Sequence, residues 1–195
     1  MSKLMLAAAA TGLALTAAAC NSSDTSNGAT PSQPAEAQEK AGDQTIAAAL
    51  DRNGRFYQAA HAAGLDATLA GPGPYTVLVP RDDAFGKVEG ALKDTANPQN
   101  RAELTRVLTY HILPGTVLIE DLGKAVDNGK GKALIQTMNG ETLTATKEGG
   151  KLVLADASGG KATIVDGDQK RSNGVVQYVD VILTPSAQAG PAEGQ

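Results

Sequence analysis

A chain of 195 residues has room for one domain with appended ends, and its formal charge of −4, with 17 Lys and Arg scattered along it, excludes the concentrated positive stripe that nucleic acid requires. Aromatic residues make up only 3% of the chain, and all of them (Phe56, Tyr57, Tyr75, Phe85, Tyr110, Tyr178) fall between residues 56 and 178, so the material for a core lies in the middle. The one cysteine, Cys20, excludes an intramolecular disulfide framework and a cysteine-based zinc site.

The chain opens on Lys3 and an uncharged run from Leu4 to Ala19 that ends in small residues, which predicts a secretory signal over 1–19. Ala17-Ala18-Ala19-Cys20 resembles a bacterial lipobox, with Ala17 where Leu is favoured. That resemblance implies cleavage before Cys20 and a diacylglycerol on its sulfur; plain cleavage after an alanine, leaving Cys20 a free thiol, is the alternative. Residues 20–43 then read as a lipidated cysteine and a disordered tether, and 187–195 as a disordered tail. Neither 21–43 nor the tail holds a Leu, Ile, Val or aromatic to offset ordering entropy. The tether has an r.m.s. reach of about 25 Å, and the two or three acyl chains of a lipoprotein hold a bilayer where one alone does not. By resemblance to Gram-negative sorting, Asn21 in place of Asp permits transfer to the outer membrane. The expected location is exported and anchored in the cell envelope, at the outer membrane or the periplasmic face of a Gram-negative cell.

From Thr45 the spacing becomes helical: Ile46, Ala49 and Leu50, a break at Asn53-Gly54, then Phe56, Ala59, Ala60 and Ala63. Gly64 followed by Leu65 predicts a left-handed stop. Gly71-Pro72-Gly73-Pro74 forces a turn into a strand, Tyr75 to Val79, stopped by Pro80. Asp82 is positioned to cap a short helix around Ala84 and Phe85. Asn97-Pro98 opens the longest helix, whose core face is Leu104, Val107, Leu108, His111 and Ile112, and Leu113-Pro114-Gly115 ends it. Beyond it, alternating runs are divided by Asn139-Gly140, Gly149-Gly150, Gly159-Gly160, Asp166-Gly167 and Asn173-Gly174. These predict hairpins, among them 133–138 with 141–147. The run Val175 to Leu183 is apolar on both faces at most positions and predicts a central, doubly covered strand. Helices first and hairpins afterwards make the fold class α+β.

Three stretches carry a resemblance to the fasciclin (FAS1) domain. Tyr75-Thr-Val-Leu-Val-Pro-Arg-Asp-Asp-Ala-Phe85 is similar to its first signature, Leu108-Thr-Tyr-His-Ile-Leu-Pro-Gly115 to its Tyr-His segment, and Ser172-Asn-Gly-Val-Val-Gln-Tyr-Val-Asp-Val-Ile-Leu-Thr-Pro185 to its second signature. The resemblance covers 44–186. It implies a wedge-like β-sandwich with N-terminal helices packed at one side, used as an adhesion or interaction module with a protein or matrix partner at the cell surface. Arg81-Asp82 stands where Thr-Asn is usual, and Gln177 where the family usually has His. The resemblance also implies that His111 bonds Asp83 and ties the long helix to the first strand. The segment Val117 to Leu122 falls where some animal fasciclin domains carry receptor-binding sequences, which offers Tyr110, Ile119, Asp121 and Leu122 as partner-binding residues; its plainer reading is that Leu118, Ile119 and Leu122 pack a short helix.

Little in the residues points to catalysis. There is no Gly-x-Ser-x-Gly elbow, Cys20 stands outside the domain, and His111 on an apolar face is most simply a buried, hydrogen-bonded imidazole. His61, beside two alanines, reads as exposed. Asp166-x-Asp168 lacks the later glycine and glutamate of a calcium loop and reads as a turn, and the Gly71-x-Gly73 and Gly129-x-Gly131 pairs lack the third glycine of a phosphate loop. No metal, cofactor or enzymatic activity is expected. Two further readings stay open beside adhesion: a module that holds a lipid or other small molecule between sheet and helices, and an accessory subunit of a membrane complex.

Overall fold

The computed structural model describes residues 42–88 and 90–186. The expectations for the signal peptide, for Cys20 and its acylation, for most of the tether and for the tail lie outside the described residues.

Three short helices lead: α1 (Ile46–Ala49), α2 (Arg55–Ala63) and α3 (Asp66–Ala70). α2 buries Phe56, Ala59, Ala60 and Ala63 and stops at Gly64, whose φ of 78° is left-handed, as the sequence predicts. α3 follows at once and was not foreseen, because Leu65 and Leu69 alone present too short an apolar pattern to read. After β1 (Tyr75–Pro80) come 3-10 turns at Asp82–Lys87, Gly90–Leu92 and Pro98–Asn100. The Asn97 side chain accepts from Gln99 N–H at 3.0 Å and opens the long helix, whose α-helical part is α4 (Arg101–Tyr110). Then follow β2 (Ile112–Pro114), α5 (Ile119–Asn128), β3 (Lys132–Gln136), β4 (Thr142–Glu148), β5 (Lys151–Ala155), β6 (Lys161–Arg171) and β7 (Gly174–Val179).

The strands form one seven-stranded sheet in the order β2-β1-β7-β6-β5-β4-β3, with β1 and β7 parallel and the other neighbours antiparallel. β7 lies between β1 and β6 with both faces covered, as its composition predicts, though its ladder ends at Val179 and not at Leu183. β6 is the corner. Its first residues pair with β5, Thr163 opposite Val153; register shifts follow between Ile164 and Asp166 and between Asp166 and Gln169, and its second half pairs with β7. Asp166-Gly167 is therefore not a turn. It forms a bulge that bends one strand across two halves of the wedge. On the far side, Met138 N–H donates to Ile112 C=O at 2.8 Å, so the sheet comes close to closing into a barrel.

Two cores result. One packs α1 to α4 on the outer face of β1 and β7, around Phe56, Phe85, Leu104, Leu108, Val77 and Val176. The other fills the inside of the curved sheet, with Leu78, Tyr110, Leu122, Leu143, Leu154 and Val179. Alternation along β1, Val77 and Val79 to the helices and Leu78 to the interior, places one strand between both cores. This is the α+β wedge that the three signature stretches imply.

Helix N-termini are satisfied across the fold. Ile46 N–H donates to Asn173 Oδ1 at 2.8 Å, Arg55 N–H to Asp82 Oδ1 at 3.0 Å and Ile119 N–H to Asp168 Oδ1 at 2.9 Å. Asp82 thus caps α2 and makes no side-chain cap to its own 3-10 turn. The backbone of Gly54, just before α2, has no side chain with which to cap it, so the donor is met from 27 residues away.

Candidate functional site

His111 sits immediately after α4, fully buried against Phe56 at a ring-centroid distance of 6.4 Å. Its Nδ1 lies 2.8 Å from Val107 C=O, and its Nε2 accepts from Leu183 N–H at 3.1 Å. Accepting at Nε2 places the proton of the neutral ring on Nδ1, which donates to Val107. Burial pushes the imidazole pKa down to about 4, against the smaller raising effects of the Val107 carbonyl and the Asp156 charge. The expected bond to Asp83 does not form. Asp83 is solvent-exposed and lies 3.7 Å from Arg81, because it belongs to the 3-10 turn beyond the end of β1, while the His111 ring is satisfied by main chain on both sides. The long helix is tied to the C-terminal segment instead of to the first signature.

The adjoining segment also differs from expectation. Tyr110 is not an accessible handle: it belongs to the interior core, its hydroxyl accepts from Ala157 N–H at 3.3 Å, and burial raises its pKa. Leu122 is buried as well, Ile119 is half-buried, and of the four candidate partner residues Asp121 alone is exposed. The cause is position: α4 lies between the two cores, with Leu104, Val107 and Leu108 facing one and Tyr110 the other. The plainer reading of Leu118 to Leu122, packing of a short helix, describes most of this segment.

What fixes that helix is Gln177. Its Nε2 donates to Val117 C=O at 3.0 Å and to Asp168 Oδ1 at 2.9 Å, and its Oε1 accepts from Asp168 N–H at 2.9 Å. Asp168, at a left-handed φ of 55°, caps α5. Gly167 is required beside it, because a Cβ there would fall 1.8 Å from Gln177 Oε1. Gln177 therefore makes a complete set of polar contacts where the family usually has His. The sequence reads Asp168 and Asn173 only as turn residues; the signal that could have found their capping roles is an Asp or Asn beside a glycine inside a β-rich stretch, where a short polar side chain tolerates positive φ or reaches backbone donors.

Inside the sheet, the space lined by Leu78, Leu113, Ile119, Leu154 and Gln177 has a volume of about 10 Å³, room for roughly one water molecule. The open concavities are elsewhere. Hollows of about 260 and 410 Å³ both include Arg81 and Tyr178, at the ends of β1 and β7; Leu50, Phe56 and Tyr57 line one, and Val165, Asp166 and Gln169 the other. His61 stacks on Tyr57, with the rings 3° from parallel, and pairs with Asp66 at 3.0 Å. Among the described residues no three His, Cys, Asp or Glu side chains are placed to hold a metal, and no helix is long and apolar enough to cross a membrane.

The Fasciclin domain model matches residues 52–185. Protein sll1483 of Synechocystis sp. is 30% identical over 141 residues, which cover 72% of this chain and 71% of that protein. The pig transforming growth factor-beta-induced protein ig-h3 is 29% identical over 128 residues, 65% of this chain but only 17% of that much longer protein. Among solved structures, a FAS1 domain pair from the insect cell adhesion molecule Fasciclin I superimposes with a TM-score of 0.62 at 19% identity, covering 72% of this chain and 51% of that one; at that identity the likeness is one of fold. With the signature stretches in order on the wedge and the family model spanning both cores, the chain belongs to the fasciclin domain family.

Proposed function

We propose that this chain is a non-catalytic interaction module whose domain, residues 44–186, is displayed at a cell surface by an acylated Cys20 and binds a protein or matrix partner through its outer surface. The observation that carries this reading is the contrast between a filled interior of about 10 Å³ and open hollows that meet at Arg81 and Tyr178. Recognition without an internal site is left to the exterior. The buried histidine supports the same reading, since both ring nitrogens are engaged by main chain and neither is free to shuttle a proton. The fold is shared with an insect cell adhesion molecule, which is in keeping with that role. The filled space inside the sheet speaks against a small molecule or lipid held there, because a carrier needs a cavity of hundreds of cubic ångströms.

Cross-linking the protein in its native membrane tests the reading. A macromolecular partner linked to exposed residues such as Asp121 or Arg81 supports it, and a Cys20→Ser chain is expected to leave the membrane fraction. Native mass spectrometry that shows a small molecule retained by the domain overturns it in favour of a carrier. A stoichiometric membrane complex that co-purifies would assign the chain as an accessory subunit.

A further inference from the structure

Beyond β7 the chain runs on as an irregular strap, residues 180–186, with Ile182 buried in the helical core and Leu183 in the interior one. Its start is fixed to β6: Asp180 N–H donates to Thr163 C=O at 3.2 Å, and Asp180 Oδ1 accepts from Thr163 N–H at 2.6 Å. The donors that follow are held in another way. Leu183 N–H donates to His111 Nε2 at 3.1 Å, Thr184 N–H to Asp156 Oδ2 at 2.8 Å and Ser186 N–H to Glu141 Oε2 at 2.8 Å, and Pro185 between them has no N–H. Every main-chain donor from 183 to 186 thus goes to a titratable side chain, whereas most backbone donors in a folded chain are met by main chain. The three holders converge from the end of α4, the end of β5 and the start of β4.

We propose that this strap is a proton-released clasp: near neutral pH its three acceptors hold it down, and acid frees residues 182–186 from a hinge at the exposed Val181 while the sheet stays folded. Each acceptor fails on protonation. A proton on His111 Nε2 opposes the Leu183 N–H. Asp156 Oδ1 already takes Ser158 N–H, the Ser158 hydroxyl and Gly160 N–H, which directs a proton to Oδ2, against Thr184. Glu141 takes Asn139 Nδ2 on Oε1 and both the N–H and the hydroxyl of Ser186 on Oε2, and neutralising it weakens all three bonds. Facing these groups are Val107 C=O and the Phe56 ring at His111, the Tyr110 hydroxyl near both carboxylates, and Arg106, whose Nη1 donates to Ser186 C=O at 2.5 Å. Neither Tyr110 nor Arg106 changes charge in acid, so the response belongs to the three acceptors. A ring released to water takes its proton near pH 6.5 and the clasped ring near 4. The released state therefore binds more protons, and from His111 alone opening is favoured roughly 25-fold more at pH 5 than at pH 7. The same protons lower the stability of the whole domain, and the strap, with no ladder of its own, yields first. Its release uncovers the places of Ile182 and Leu183, an apolar slot that bridges the two cores.

The test uses the full chain with Cys20→Ser and a nitroxide on Thr184→Cys, at an exposed position of the strap, followed by NMR from pH 7 to pH 4. At pH 7 the label is expected to broaden the Ser158 and Gly160 amide signals, because both residues share Asp156 with Thr184. As pH falls these signals are expected to recover while the dispersed signals of β4 and β5 persist. His111→Gln, which does not titrate, should need a lower pH for the same recovery. Asp156→Asn, and with a smaller shift Glu141→Gln at the half-buried rim, should show it closer to neutral. Signals that stay broadened until the whole spectrum collapses overturn the proposal, as do signals already sharp at pH 7. A recovery whose midpoint none of the three variants moves overturns it as well.

Discussion

Acid should unfold this domain through a single imidazole. Neutral His111 donates from Nδ1 to Val107 C=O and accepts at Nε2 from Leu183 N–H; a second proton would set an N–H against an N–H in a fully buried site. The unfolded ring takes that proton near pH 6.5, the folded ring only near 4. Between those values the unfolded state binds more protons, so stability is complete above about pH 6.5 and is lost as pH falls toward 4. The gap between 6.5 and about 4, at about 1.4 kcal/mol for each pH unit, amounts to about 3 kcal/mol, of which about 2 kcal/mol falls between pH 7 and 5. That upper part of the window is the one to measure, because most of the His111 contribution is lost there. Urea denaturation of the wild type and of His111→Gln, which keeps a donor and an acceptor but does not titrate, isolates the contribution. The wild type is expected to lose about 2 kcal/mol more than the variant from pH 7 to 5. Equal losses in both proteins would refute the assignment of a neutral, main-chain-bound ring.

Two substitutions probe the remote contacts. Gly167→Ala forces a Cβ to 1.8 Å from Gln177 Oε1 and 2.8 Å from Ile119 Cδ1, and is expected to cost about 1–3 kcal/mol, read as a lowered Tm, whereas Gly86→Ala, with open space around it, serves as the control. Asp82→Ala removes the acceptor for Arg55 N–H and should cost about 1 kcal/mol, with faster amide exchange in the first turn of α2 and little change in β4.

How much of this was legible in the sequence depended on the range of the contact. Gly64, the Asn97-Pro98 start and the 133–147 hairpin are local events, each written in adjacent residues, and the structure has all of them. The sequence suggests one core, and the second arises because the curved sheet encloses an interior of its own. Tyr110 was misplaced because helical spacing describes one buried face, while α4 is covered on two. Asp166-Gly167 carries the same letters as a hairpin turn, and only the pairing of β6 with both β5 and β7 makes it a bulge. The partners of His111 could not be read at all: Leu183 offers a backbone amide, and a backbone amide leaves no trace in residue type. Asp82, Asp168 and Asn173 hide for the opposite reason, since each is a plausible local cap whose actual target lies 27, 49 or 127 residues away.

Those distant caps bear on the order of assembly. A helix as short as α1 or α2 cannot persist by itself in water, and here its leading amide waits for a residue of another element, in the case of Ile46 one supplied at the far end of the chain by Asn173. A nascent polypeptide would hold α1 and α5 without their acceptors until Asp168 and Asn173 arrived. Maturation should therefore be abrupt and late, a single annealing of both ends of the domain that slows with the size of the loops it must close.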